Sequence, residues 1–112
     1  MQYLLFVATD SGATATDREA APSVDAWVEE GERRGIRKQG ERLQPPSDAT
    51  TVRVRDGKLL ITDGPFTESK EWIAGFDISD CADLDEAIDY ASRHPQAYGG
   101  CIEIRPFWPD QD

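Results

Sequence analysis

A two-residue turn in the middle of the chain is the feature that most constrains the fold. Asp56-Gly57 separates residues 51–55 from residues 58–62, and both flanking segments are rich in β-branched and other apolar side chains. An Asp-Gly step between two such segments is typical of a β-hairpin with a type I′ turn. The resulting register places four apolar side chains on one face of the hairpin, in the pairs Val54–Leu59 and Val52–Ile61.

The segments on either side of the hairpin predict an α+β fold. Residues 3–8 form a short apolar run that is consistent with a buried strand, and the predicted elements that follow are a helix over 23–35, an extended segment over 36–43, a central strand over 71–78, a helix over 83–94 and a last strand over 101–105. This order is a ferredoxin-like split βαβ arrangement with an inserted β-hairpin. We expect one domain spanning residues 1–112, with an antiparallel sheet and two helices on one of its faces.

The first predicted helix has one irregular position. Ser23 is a suitable N-cap and Gly35 a suitable left-handed terminator, and the apolar stripe consists of Val24, Trp27 and Val28. Gly31 lies where the stripe would continue and costs about 1 kcal/mol relative to Ala in a helix interior. A close approach of the sheet or of a partner chain would explain this glycine.

Two further segments carry capping patterns. An Asp83-x-x-Glu86 capping box begins the second helix, for which we expect a buried stripe of Leu84, Ala87, Ile88 and Ala91. Residues 9–22 are rich in small and polar side chains and predict a long loop in which Thr16-x-x-Glu19 caps a single turn. This loop either covers the mouth of a pocket or is a tolerated insertion.

Composition excludes several classes of function. The chain has 12 Lys and Arg against 22 Asp and Glu, a net charge of −10, which disfavours nucleic acid or an anionic membrane as a partner. Cys81 and Cys101 lie outside any metal or redox spacing, and the chain has no P-loop, dinucleotide-binding or haem motif. We therefore expect no cofactor and no metal. With no secretory signal and no apolar run of about 20 residues, we expect a cytoplasmic protein.

Two residues are candidates for acid–base catalysis. His94 is the only histidine in the chain, and its ordinary pKa is near neutrality. The alternative for His94 is a structural role in the last turn of the second helix, where a histidine interacts favourably with the helix dipole. Asp63, in the step Asp63-Gly64-Pro65, is either a turn residue that binds backbone N–H groups or a polar group of a pocket.

The remaining candidates are ligand-binding residues near the hairpin and in the last strand. Phe66, Glu68 and Lys70 follow Asp63, and Lys70 shares a strand face with Trp72, Ala74 and Phe76, whereas Glu71 lies on the opposite face. In the last strand, Glu103 and Arg105 share one face, and Ile102 and Ile104 share the other. A strand whose charged face lines a pocket has the same sequence pattern as a strand whose charged face is exposed to solvent.

The chain resembles a known family in several motifs, namely residues 63–71 (DGPFTESKE) followed by Gly75-Phe76, residues 40–45 (GERLQP), the 51–57 hairpin segment and residues 100–106 (GCIEIRP). These are similar to the signature of the DGPF-domain, YCII-related proteins. The resemblance implies a dimeric α+β barrel, in which the sheets of two ferredoxin-like subunits face each other, and a bacterial cytosolic protein discussed alongside alternative sigma factors. Gly31 and the small-residue loop at 9–22 depart from the family pattern. The His-Asp pair suggested for YCII-like relatives has no clear counterpart.

Three hypotheses of function follow from the sequence. The first is a homodimer that binds a small molecule in a polar-rimmed pocket, with an accessory or regulatory purpose. The second is a cofactor-free enzyme of the isomerase, lyase or hydrolase type that uses His94 or Asp63. The third is a protein-interaction module linked to a sigma factor.

Overall fold

The computed structural model describes residues 1–66 and 71–109. Its elements in chain order are β1 (Gln2–Thr9), α1 (Ala15–Glu19), α2 (Val24–Arg33), β2 (Arg37–Arg42), a 3₁₀ turn (Pro46–Asp48), β3 (Thr50–Arg55), β4 (Lys58–Asp63), β5 (Ile73–Asp80), α3 (Leu84–Ser92), α4 (Pro95–Gly99) and β6 (Gly100–Pro106).

The main sheet has four strands in the order β2-β5-β1-β6, and every neighbouring pair is antiparallel. With the hairpin strands set aside, this is the strand order of the ferredoxin-like fold, so the predicted α+β class is confirmed. The prediction of a central strand after the hairpin is also confirmed, because β5 lies between β2 and β1.

The hairpin β3–β4 forms a separate two-stranded sheet with the predicted register, in which Val52 pairs with Ile61 and Val54 with Leu59. Asp56 and Gly57 both have positive φ angles, 52° and 73°, as a type I′ turn requires. The four paired aliphatic side chains remain more than half exposed.

The core lies between one face of the sheet and the helices α2 and α3. Tyr3 and Leu5 of β1 contribute to it from the sheet, and Trp27 of α2 and Tyr90 of α3 contribute from the helices. Trp27 and Tyr90 hold these helices together, because the Trp27 indole N–H donates to the Tyr90 carbonyl at 2.8 Å and the Tyr90 hydroxyl donates to the Trp27 carbonyl at 3.1 Å. Their rings stack with centroids 4.2 Å apart.

Gly31 is explained by this helix pairing. A Cβ atom at Gly31 would collide with the Tyr90 hydroxyl and lie 2.6 Å from Tyr90 Cζ and 2.9 Å from Arg37 Cβ. The predicted close approach is therefore present, although its partners are a tyrosine of α3 and the first residue of β2. The predicted ends of α2 are confirmed, because the Ser23 hydroxyl accepts from Ala26 N and Gly35 has a φ of +69°.

Three local predictions were wrong. The turn within residues 9–22 is capped by Thr14 and Asp17, which exchange both capping hydrogen bonds, so the N-cap lies two residues before the predicted Thr16. In α3, the predicted stripe residues Leu84 and Ile88 are each 49% exposed, while Tyr90 is fully buried with Ala87 and Ala91. Small alanines let α3 approach the core closely enough for Tyr90 to stack on Trp27. Finally, Asp83 is the predicted N-cap of α3 and accepts from Glu86 N at 2.9 Å, but the second bond of the capping box, from Asp83 N to the Glu86 carboxylate, is absent from the described hydrogen bonds. The Glu86 carboxylate accepts from Ala82 N instead.

Candidate functional site

A cavity of about 690 Å³ lies between α2, α4 and the helix-facing side of β2 and β5. Its aliphatic walls include Val7, Val24 and Val28, and its polar side chains include Arg37, Asp77, His94 and Gln96. This volume is within the range of about 300 to 1,000 Å³ that is usual for small-molecule sites, and the combination of apolar walls with a few polar groups is also usual there.

The most buried ion pair among the described residues lines this cavity. Arg37 Nε in β2 donates to Asp77 Oδ1 in β5 at 2.8 Å, and the two side chains are only 16% and 8% exposed. Gly40 leaves room for the pair, because it lies opposite Asp77 in the β2–β5 register and a Cβ there would collide with Asp77 Oδ1. Any larger residue at position 40 would displace Asp77.

The electrostatics of Asp77 reflect its burial. Desolvation raises the pKa of Asp77, and the hydrogen bond and positive charge of Arg37 oppose that shift. A carboxylate has about four acceptor positions, and the Arg37 Nε–H occupies one of them on Oδ1. Asp77 therefore retains acceptor capacity on a wall of the cavity.

His94 lies on another wall, and its structural role differs from the predicted one. It follows the C-cap of α3 and is the N-cap of α4, where its Nδ1 accepts a hydrogen bond from Gln96 N at 2.8 Å. The predicted structural role in the last turn of the second helix was therefore wrong. Pro95 explains the difference, because proline is favoured at the first position of a new helix.

The environment of His94 fixes its protonation state. Burial, with a further contribution from the positive charge of Arg37, lowers the pKa of His94 to about 4. The imidazole is therefore neutral at pH 7, and because Nδ1 accepts a hydrogen bond, its proton lies on Nε2. His94 is then a hydrogen-bond donor at neutral pH and not a base that is ready to accept a proton.

The Nε2 atom of His94 opens onto the cavity. Among the described hydrogen bonds none has this atom as donor, and the described residues contain no side-chain N or O atom that is both fully enclosed and without a partner. Trp27 holds the ring in place through an edge contact with centroids 4.5 Å apart. The Nε2–H donor is thus fixed in orientation and accessible to a small molecule.

The structure places the other predicted site residues that it describes outside this cavity. Asp63 ends β4 in the hairpin sheet and is exposed, and the adjoining turn is held by Gly64 N donating to the Ala49 carbonyl and the Thr51 hydroxyl donating to the Gly64 carbonyl. Phe66 is 72% exposed and lines a second cavity of about 580 Å³. The candidates Glu68 and Lys70 lie outside the described residues.

Glu103 and Arg105 lie on the face of the sheet that points away from the helices. Arg105 Nε donates to Glu103 Oε2 at 2.6 Å, and the Arg105 guanidinium lies 5.2 Å from the centre of the Phe6 ring. The period-2 prediction for β6 is confirmed, because Ile102 and Ile104 pack against the core on the opposite face. The predicted ligand set is therefore divided among separate parts of the molecule.

Sequence reasoning missed the buried ion pair that lines the cavity, Arg37 and Asp77. Asp77 had a usable signal, because a carboxylate in a central strand alternates with Gly75 and Ser79 and must find a partner if that face is buried. Arg37 had a weaker signal, since it is one of four basic residues between positions 33 and 38.

The fold and cavity define a ferredoxin-like α+β domain with a polar-lined site between its helices and its sheet. The model of the YCII-related domain matches residues 1–110, so the chain belongs to the YCII-related domain family. It is also 44% identical over 69 residues to the uncharacterized protein R00369 of Rhizobium meliloti (strain 1021). That alignment covers 58% of this chain, and the chain spans about half of the relative's length, 54%.

Two features are absent from residues 1–66 and 71–109. No helix in this part of the chain is long and apolar enough to cross a membrane. In the same part, no group of three or more His, Cys, Asp or Glu side chains is arranged to hold a metal ion.

Proposed function

We propose that this YCII-related protein binds a small molecule in the cavity between α2 and the sheet. The observation that carries the proposal is the convergence of two buried polar groups on one apolar cavity, namely the Asp77 carboxylate paired with Arg37 and the Nε2–H of His94. Buried polar groups are normally satisfied within the protein. Unused donor and acceptor capacity at a cavity surface is what a ligand would complete.

We further propose that the protein is a homodimer formed through the open face of the sheet. Leu4 and Phe6 of β1 and Phe76 and Ile78 of β5 form adjacent pairs on that face and are half-buried in the single chain. A continuous apolar centre on an otherwise uncovered sheet face favours burial against a second copy. Sedimentation velocity at micromolar concentration tests this point, and a monomer would contradict it.

A thermal-shift experiment tests the binding proposal. Val24 is 47% exposed at the rim of the cavity, so Val24→Trp narrows the entrance without disturbing the core. The matched control is Val52→Trp in the hairpin, where the valine is 61% exposed and lies outside the cavity lining.

The wild type and both variants are screened against a panel of neutral and charged metabolite-sized compounds. A ligand at 100 times its Kd adds about 2.7 kcal/mol of stability, so at least one compound is expected to raise the Tm of the wild type and of Val52→Trp by several degrees. The same compound is expected to have little effect on Val24→Trp. Equal shifts in all three proteins, or none in any of them, would contradict the proposal.

A further inference from the structure

The charges around the cavity restrict the chemistry of its ligand. Arg37, Arg42 and Asp77 line it from the helix-facing side of the sheet, whereas Glu41 lies opposite Phe76 in the β2–β5 register and so has its side chain on the other face. Arg42 is exposed to solvent, so Arg37 and Asp77 are the buried charges of the cavity. Arg37 is also 3.3 Å from Glu32, so its positive charge already faces two carboxylates. An anionic ligand would therefore bring a third negative charge to Arg37 and would lie close to the buried Asp77.

The histidine adds no positive charge beside Arg37 and Asp77. Because its pKa is lowered to about 4, His94 contributes a neutral N–H dipole at pH 7. A neutral donor binds a carbonyl oxygen well and gains no net charge attraction from a carboxylate or phosphate. Arg37 is already paired, so the buried groups with unused hydrogen-bonding capacity are one neutral donor, His94, and one anionic acceptor, Asp77.

These groups require a complementary pair on the ligand. A carbonyl oxygen satisfies the Nε2–H of His94, and an N–H or O–H group satisfies the free acceptor positions of Asp77, forming a charge-assisted hydrogen bond. The aliphatic walls formed by Val7, Val24 and Val28 accept an apolar body. Building on the binding function proposed above, we infer that the cavity takes an uncharged carbonyl compound that carries its own N–H or O–H donor, such as an amide, a lactam or a hydroxyketone, in preference to a carboxylate or phosphate.

Three probes with one skeleton test this inference, namely benzamide, benzoate and acetophenone. Benzamide offers both the carbonyl and the N–H donor, acetophenone lacks the donor, and benzoate replaces the donor with a negative charge. Affinities are measured at pH 7 on uniformly ¹⁵N-labelled protein by NMR titration. The only histidine of the chain provides an unambiguous reporter in the imidazole Nε2–H region.

For benzamide we expect a Kd on the order of 1 mM, as is usual for a ligand of this size. Loss of the hydrogen bond to Asp77 is expected to weaken acetophenone about tenfold, and benzoate is expected to bind at least about tenfold more weakly than benzamide. Benzamide is also expected to shift the His94 resonances in the wild type and in Val52→Trp, and to leave them unchanged in Val24→Trp.

A variant at the donor provides a second measurement. His94→Asn retains an N-cap side chain for α4 and removes the imidazole donor, so it is expected to fold and to bind benzamide about three- to tenfold more weakly. Unchanged affinity in this variant would overturn the assigned contact.

The outcomes separate this inference from the proposed function. If benzoate binds as tightly as benzamide and Val24→Trp abolishes both, the ligand class is wrong and the cavity remains the binding site. If benzamide fails to bind while a charged compound gives a Val24-dependent thermal shift, the inference fails alone. If neither the probes nor the thermal-shift panel gives a Val24-dependent signal, both fail.

Discussion

Substitution of Gly31 by alanine tests the packing that supports the cavity. In an ordinary helix interior this change stabilises by about 1 kcal/mol, because alanine has the higher helix propensity. In α2 the new methyl group would collide with the Tyr90 hydroxyl and approach Arg37 Cβ to 2.9 Å. The sign of the effect therefore depends on whether Tyr90 can move.

The magnitude follows from two contributions. Overpacking in a closely packed interior destabilises by about 1 to 3 kcal/mol. Displacement of the Tyr90 hydroxyl also breaks its 3.1 Å hydrogen bond to the Trp27 carbonyl, which leaves the buried hydroxyl donor without that partner and costs about 1 to 3 kcal/mol. After subtraction of the propensity gain, we expect Gly31→Ala to lower the free energy of unfolding by about 1 to 5 kcal/mol.

Urea denaturation followed by tryptophan fluorescence measures this change. The matched control is Gly99→Ala in α4, where the nearest atom to the new Cβ is 3.8 Å away, and it is expected to change stability by less than about 1 kcal/mol. In the double variant Gly31→Ala/Tyr90→Phe, removal of the colliding hydroxyl is expected to recover part of the loss. A Gly31→Ala protein that is as stable as the wild type, or more stable, would refute the reasoning.

Three other changes have predicted outcomes. The pKa of His94 is about 4 in the folded protein and its ordinary value is 6.5, so the stability due to the neutral imidazole is complete above pH 6.5 and is lost as the pH falls toward 4. In urea titrations across this window, the wild type is expected to lose about 3 kcal/mol of unfolding free energy relative to His94→Asn. Stability profiles that stay parallel for the two proteins would contradict this. Arg37→Met leaves the buried Asp77 unpaired and is expected to destabilise the protein by about 3 to 5 kcal/mol. The double variant Arg37→Met/Asp77→Leu is expected to recover most of this loss. A change under about 1 kcal/mol in the single variant would show that the ion pair is dispensable for stability. Gly57→Ala is expected to lower the Tm by several degrees, because its φ of +73° disfavours any side chain, and an unchanged Tm would argue against the type I′ turn.

Local chemistry made much of the fold predictable. The Asp56-Gly57 step determined the hairpin register, Ser23 and Gly35 marked the ends of α2, and the order of the strand and helix patterns gave the topology. These features depend on residues that are close in sequence, so backbone geometry and capping preferences are sufficient to predict them.

The candidate site was less predictable because it depends on which face of the sheet meets the helices. Period-2 alternation showed that Ala74 and Phe76 share a face of β5, but it did not show that this face points away from the helices while Asp77 points toward them. Tertiary packing decides this question, since Trp27 and Tyr90 fill the helix side and Gly40 leaves space beside Asp77. For the same reason, sequence alone did not bring Arg37 together with Asp77, forty residues away.

The location of a bound ligand tests the account most directly. A crystal structure of the protein with the compound that gives the largest Val24-dependent thermal shift would show that location. The account predicts electron density in the cavity between α2 and the sheet, with a ligand oxygen about 3 Å from Nε2 of His94 and a donor near Asp77. Density confined to the second cavity beside Phe66, or to the open sheet face beside Arg105, would contradict it.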